Sequence, residues 1–352
     1  MSLLVFLLYP FSVIYDLVTR VRNLLFDLGI FKTTPTGMPS ILVGNLSVGG
    51  TGKTPMVEYL IDTLKDNRKI GTLSRGYGRK TSGFLEADLG SSPLQIGDEP
   101  FQIFEKYKGE VSVFVGEDRV KAVEEILEKD TLPELLILDD AYQHRYIKAD
   151  LSILLTTYNR PFFKDFLLPA GRLRESRNGA KRADILVVTK CPIGLDEVQK
   201  DLFRKQIKNY TGPETPVLFS EIGYGVPISE KEDCVFSDSV ILLSGIADDS
   251  LLVSFARENY DLLEVIRYRD HHEYSEKDML DIQEVYRKHQ GKNPVLLTTE
   301  KDIAKVKSLS SKGFLAEIPI FVLPIRMKFS SGDQGVLNQL IQQKVLQRDQ
   351  SR

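Results

Sequence analysis

Residues 41–54 read ILVGNLSVGGTGKT, and this stretch decides the fold. The apolar run Ile41-Leu42-Val43 reads as a short buried strand. The clustered Gly49, Gly50 and Gly52 would weaken a strand or a helix interior, so they serve a turn in which backbone must approach something closely. From Met56 to Asp66 the pattern is helical. Strand, glycine loop and helix together form a phosphate cradle, in which loop amides and the helix N-terminus face one cavity. In that arrangement Ser47, Val48, Gly49, Gly50, Thr51, Gly52, Lys53 and Thr54 bind nucleotide phosphates. Lys53 reaches the β- and γ-phosphates, and the Thr54 hydroxyl helps hold Mg²⁺. The usual pattern begins with glycine, where this chain has Ser47. A structural glycine turn with an ordinary surface lysine is the alternative.

Beyond this loop the chain alternates. Strands are expected at 69–73, 111–115, 135–138, 151–155, 185–189 and 217–219, with helices at 100–107 and 119–129. Continuous apolar strands separated by helices predict an α/β fold, a mostly parallel sheet covered on both faces. After GYGVP a smaller α/β unit is expected, with strands at 240–243 and 295–298 and helices at 250–258, 276–289 and 336–347. The expected organisation is an N-terminal helical segment (1–32), a P-loop core (33–225) and a C-terminal unit (226–352).

The 352 residues are 42% apolar and 27% charged, a globular balance. A net charge of −3 does not advertise a nucleic-acid partner. Cys191 and Cys234 lack metal-ligand spacing and are expected as buried thiols. The opening MSLLVFLLYPFSVIY is uncharged but shorter than the about 20 residues of a spanning helix. It also lacks the basic start and small-residue cleavage site of a signal peptide. From Pro10, placed in a first turn, Phe11, Ile14, Leu17, Val18, Val21, Leu24, Leu25 and Leu28 form one helical stripe, ended by Gly29. With Arg20, Arg22 and Lys32 nearby, this segment is either an interfacial anchor on an anionic membrane or a helix packed on its own domain.

Several further stretches carry chemistry. ELLILDDAYQH (134–144) ends an apolar strand in Asp139 and Asp140, where such folds place ligands. Adjacent carboxylates there suit a Mg²⁺ shell, although a plain strand-end turn also favours Asp. His144 either orients an aspartate or finishes the turn. In QIGDEP (95–100), Asp98 or Glu99 is a helix cap or a general base. Arg75 in SRGYG and Arg172 and Arg174 in GRLRES suit phosphate recognition or a solvated surface. RDHHEY (269–274) shows no zinc spacing. VVTK and TTEKD faintly resemble the base-reading motifs of GTPases, so a membrane-associated nucleotide switch without an acceptor is a competing reading. A non-catalytic nucleotide-binding scaffold is another.

VGNLSVGGTGKTP, TLSRGYGR, GDEP, ILDDAYQH, LLPAGRLRE, RDHHEY and TTEKD, in that order over residues 40–305, closely resemble the tetraacyldisaccharide 4'-kinases of lipid A synthesis. One departure is Ala141, where that family usually has glycine. The resemblance implies transfer of the γ-phosphate of ATP to the 4'-hydroxyl of a tetraacyldisaccharide 1-phosphate, giving lipid IVA. It implies Asp98 as base with His271 (less well His272) as its partner, and Lys53 at the transferred phosphate. Asp139 and Asp140 lie near Mg²⁺; Arg75, Arg119, Arg174 and His144 face phosphate or substrate. Glu300 and Asp302 frame the nucleotide from the second unit. The implied location is the cytoplasmic face of the bacterial inner membrane, peripheral or monotopic, with the acylated lipid as partner and no obligate protein partner.

Overall fold

The computed structural model describes residues 3–231, 234–270, 272–310, 315 and 317–347. A long helix, α1 (Leu3–Asp27), precedes the first strand of the main sheet, β1 (Ser40–Asn45), every residue of which is buried. Then follow α2 (Lys53–Leu64), β2 (Ile70–Ser74), α3 (Asp98–Lys106), β3 (Val111–Val115), α4 (Arg119–Leu127) and β4 (Leu135–Asp139). The chain continues through β5 (Leu151–Thr157), β6 (Ile185–Cys191), α5 (Glu197–Lys208) and β7 (Val217–Tyr224). Pairing is parallel throughout the order β3-β2-β4-β1-β5-β6-β7. β1 thus lies in mid-sheet between β4 and β5, and the loops after β1 and β4 open side by side. Ligands of such sheets bind at this position.

Alternation along single strands builds two cores. Leu42, Leu138, Leu154 and Leu186 face one layer, and Ile41, Val43, Ile137, Ile153 and Val187 face the other. Two-residue periodicity therefore covers both faces. The second sheet runs β9 (Asp261–Arg267), β8 (Ser239–Ser244), β10 (Val295–Thr299) and β11 (Ile320–Leu323), all parallel, with Ile228–Ser229 antiparallel at its edge. It carries α6 (Ser250–Asn259), α7 (Glu276–His289) and α8 (Glu300–Ser310).

The division at residue 226 needs a correction at its far end. β12 (Ile325–Phe329) pairs antiparallel with β7, and Leu337 and Ile341 of the helix α9 (Ser331–Ile341) pack in the same core as Met56 and Leu60. Residues from 325 onward return to the first sheet. Pro324 separates β11 from β12: its missing amide and fixed φ end one strand and let the chain turn to the other sheet. IRMKF alternates over only five residues, too short to stand out in sequence beside the following helix.

The N-terminal helix begins before Pro10, which lies inside it and not in its first turn. Its apolar stripe faces outward: Phe11, Ile14, Leu17, Val18 and Leu28 are each more than 60% exposed. The opposite face docks by polar contacts. Ser12 Oγ donates to the Leu167 carbonyl (3.0 Å), Tyr15 OH to that of Arg174 (2.8 Å) and Asn23 Nδ2 to Glu175 Oε2 (3.0 Å). Among the described residues no helix is long and apolar enough to cross a membrane. Cys191 is buried, its thiol pushed up to about 12 by burial, whereas Cys234 is only partly covered.

Candidate active site

The glycine loop forms as its residues require. Gly49 and Gly52 hold φ of 101° and 87°, left-handed values that side chains resist. Gly52 caps α2 without any side-chain hydrogen bond, so the first amides of the helix remain available to an anion. The loop is braced from several sides. Val48 N donates to the Arg172 carbonyl (2.8 Å), and Arg174 N to that of Leu46 (2.7 Å). Asn45 Nδ2 contacts Thr51 Oγ1 (2.5 Å), and the buried Thr189 hydroxyl donates to the Thr51 carbonyl (2.8 Å). The VVTK stretch thus supports the cradle from below, while Lys190 lines the cleft above.

That cleft, about 440 Å³, lies between the two sheets. Val48 to Thr54 form its floor beside Asp140, Arg174 and Glu99. Tyr224, Ile246, Leu251 and Leu252 supply an apolar end. Of the expected cradle residues only Ser47 does not line it; Ser47 instead bridges to Leu173. Lys53 Nζ stands 3.8 Å from Asp140 Oδ2, and Arg174 Nη1 contacts both oxygens of Asp140 at 2.9 and 3.0 Å. Burial works against ionisation of Asp140, but Lys53 and Arg174 outweigh it and hold the carboxyl below its usual range. Asp140 itself takes the left-handed turn, φ 49°. Ala141 does not, and its side chain is buried in the core. The missing glycine at 141 therefore costs nothing in backbone strain.

Asp139 behaves differently. It is 2% exposed, and burial, with the charges of Glu99 and Asp140, pushes its carboxyl up to about 7 against the pull of Lys53. Its Oδ1 is buried with no hydrogen-bond partner among the described residues. An unsatisfied, crowded carboxylate beside a phosphate cradle is the chemistry of a cation site. No cluster of three His, Cys, Asp or Glu ligands is assembled among the described residues. That suits Mg²⁺, which takes one or two carboxylates and completes its shell with phosphate and water. Asp139, the Thr54 hydroxyl and the neighbouring Glu99 fit that role; Asp140 is already engaged by Arg174.

The remaining predicted residues separate into groups. Asp98 is the first residue of α3 and its Oδ2 lies 2.6 Å from Lys305 Nζ. It flanks the cleft wall that Glu99 lines. His271 lies outside the described residues. His272 turns away from Asp98, with Nε2 3.1 Å from Asp278 Oδ2 and its ring stacked on Tyr268. Arg119 is not placed as a phosphate-facing group: it is buried, donates to the carbonyls of Gly116 and Glu117, and burial pulls it down to about 10. Its charge still acts on the aspartate pair through space. Arg75 is exposed in the loop after β2. His144 packs edge-on to Tyr146, with burial and Arg119 depressing its pKa; it neither orients an aspartate nor lines the cleft.

Glu300 lines the cleft and accepts from Lys106 (2.8 Å). Asp302 does not frame the nucleotide. It is buried, accepting from Gly245 N (3.0 Å), Tyr274 OH (3.1 Å) and Thr299 Oγ1 (2.9 Å), and it anchors α8. The sequence offers Glu99 only as a helix cap or a general base, not as a cation ligand; its position beside Asp98 at a helix start, a place that favours acidic residues in any helix, hides its nearness to Asp139.

The family model for tetraacyldisaccharide-1-P 4'-kinase (LpxK) matches residues 4–346. The chain belongs to this family. The tetraacyldisaccharide 4'-kinase of Flavobacterium psychrophilum is 42% identical over 93% of each chain, and that of Bacteroides thetaiotaomicron 39% identical over 95% of this chain and 91% of its own. A crystal structure of LpxK from Aquifex aeolicus in complex with ATP superposes with a TM-score of 0.75 at 32% identity, covering 97% of this chain and all of that one.

Proposed function

We propose that this chain transfers the γ-phosphate of ATP to the 4'-hydroxyl of a tetraacyldisaccharide 1-phosphate, forming lipid IVA at the cytoplasmic face of the inner membrane. The observation that carries the reading is the convergence of an open amide cradle, Lys53, Asp140 and Arg174 on one cleft in a member of this kinase family. ATP lies with its phosphates on residues 48–54 and its base toward Tyr224, Ile246, Leu251 and Leu252. Lys53 and Arg174 neutralise the phosphates and fix their orientation. Asp139 and Thr54, with Glu99, would hold a Mg²⁺ ion, whose charge would offset that of the phosphates. Asp98 accepts the proton of the attacking hydroxyl, with His271 as its partner. Phosphoryl transfer requires alignment and charge neutralisation more than a strong base, so a carboxylate fixed in position suffices.

The outward stripe of α1 supports a seat at the membrane surface, because apolar side chains exposed in water gain by entering the headgroup boundary. α1 is also hydrogen-bonded to residues 167–175, the same segment that braces the cradle and carries Arg174. An acceptor lipid held at that surface therefore lies next to the transferred phosphate.

The test is thin-layer separation after incubating the chain with ATP, Mg²⁺ and the disaccharide lipid. The kinase yields a doubly phosphorylated lipid. A nucleotide switch yields free phosphate only, and a scaffold yields neither; both results oppose the proposal.

A further inference from the structure

Helix α8 carries two lysines one turn apart, Lys301 lining the cleft and Lys305 reaching the first unit. Lys301 Nζ lies 2.7 Å from Asp270 Oδ1. Lys305 Nζ lies 2.6 Å from Asp98 Oδ2 and donates to the His272 carbonyl at 3.3 Å. The Lys305–Asp98 pair is largely withdrawn from water, with side-chain exposures of 10% and 21%. At the other end of the contact, Glu300 takes the ammonium of Lys106, which also contacts Glu58 on α2, the helix that follows the cradle (2.7 Å). Helix α8 therefore clasps α3 at both ends, at its first residue, Asp98, and in its last turn, at Lys106. The buried Asp302 fixes the start of α8 to its own sheet. Within this clasp the Lys305 ammonium joins the first unit's Asp98 to the His272 carbonyl of the second.

We infer that Lys305 is a positioning residue for phosphoryl transfer, holding the Asp98 carboxylate in place for the acceptor hydroxyl. The inference rests on the reading of Asp98 as the proton acceptor. A partly buried carboxylate is costly without hydrogen-bonding or cationic partners, and each contact made to it narrows the rotamers open to it. The 2.6 Å contact restricts that freedom from the side of the second unit. Transfer of a phosphoryl group depends on alignment more than on the strength of the base. Misplacement by about 1 Å costs on the order of 10²-fold in rate, so loss of the cation is felt in turnover and not in nucleotide binding.

The experiment is steady-state kinetics of the full chain with ATP and tetraacyldisaccharide 1-phosphate. Lys305→Met is expected to lower kcat by about 10- to 100-fold with KM for ATP within about twofold of the parent, and Lys305→Arg to recover most of that loss. Asp98→Ala is run in parallel. An unchanged kcat in Lys305→Met beside an inactive Asp98→Ala overturns the role of Lys305 and leaves that of Asp98 standing. An active Asp98→Ala overturns the reading of Asp98 itself. Parallel loss of kcat and ATP affinity, or failure of Arg to rescue, assigns Lys305 a merely structural part and also overturns the inference. Should Lys305→Met not fold, Lys305→Gln replaces it under the same criteria, with folding judged by nucleotide binding.

Discussion

Replacing Asp139 by asparagine tests whether the crowded carboxylate is a cation site or a structural group. In the absence of nucleotide its carboxyl sits at about 7, raised by burial and by Glu99 and Asp140. A carboxyl held there instead of near 4 penalises the folded state at pH 8 by on the order of 4 kcal/mol. The sign follows from proton binding. Between the unfolded and folded pKa values the folded chain binds the extra proton, so this contribution is most favourable in acid and is lost as pH rises through about 7. Asparagine removes the charge but buries an amide with few partners, which gives back roughly 1–3 kcal/mol. A net gain of about 2 kcal/mol corresponds to about 3 °C in Tm for a chain of this length. Thermal melts of the nucleotide-free chain at pH 8 should therefore show Asp139→Asn above the parent by about that amount. At pH 5 only about 1.5 kcal/mol of the penalty remains, which the cost of the amide offsets, so the two should melt together. Adding ATP and Mg²⁺ at pH 8 should reverse the order. A lower Tm for Asp139→Asn at pH 8, or the same difference at both pH values, refutes the reasoning.

Asp98→Ala should lower turnover by about 10² or more while titration calorimetry shows ATP binding retained; full activity would remove Asp98 from the reaction. On α1, the double change Leu17→Glu with Leu24→Glu removes two exposed apolar groups, each contributing roughly 1.5–3 kcal/mol on burial. Flotation with anionic vesicles should fall at least about tenfold while Tm stays within a degree or two, because neither side chain is packed in the fold; unaltered flotation would place another surface at the membrane.

Much of this molecule is legible in its sequence, and the exceptions have physical reasons. The cradle, the aspartate pair and the parallel strands are local signals, written in contiguous apolar runs and glycines, and they appear where expected. What escaped notice is non-local. The return of 325–329 to the first sheet depends on which edge receives a five-residue alternating strand. Arg119 and Asp302 carry charges that suggest ligand contact, yet Arg119 turns back onto the carbonyls of Gly116 and Glu117, and Asp302 is held by Gly245 and the buried Tyr274 from elsewhere in the fold. The stripe on α1 was visible, but periodicity alone does not say whether such a stripe faces inward. Polar side chains on the opposite face decide it, since Ser12, Tyr15 and Asn23 find hydrogen bonds on the body of the protein.

The most direct measurement is a paired count, in one reaction with γ-labelled ATP, Mg²⁺ and acceptor lipid, of ATP consumed and phosphate gained by the lipid. One phosphate on the 4'-oxygen for each ATP spent, abolished by Lys53→Met, is the predicted result. ATP consumption that continues without lipid labelling, or labelling that survives loss of Lys53, would contradict it.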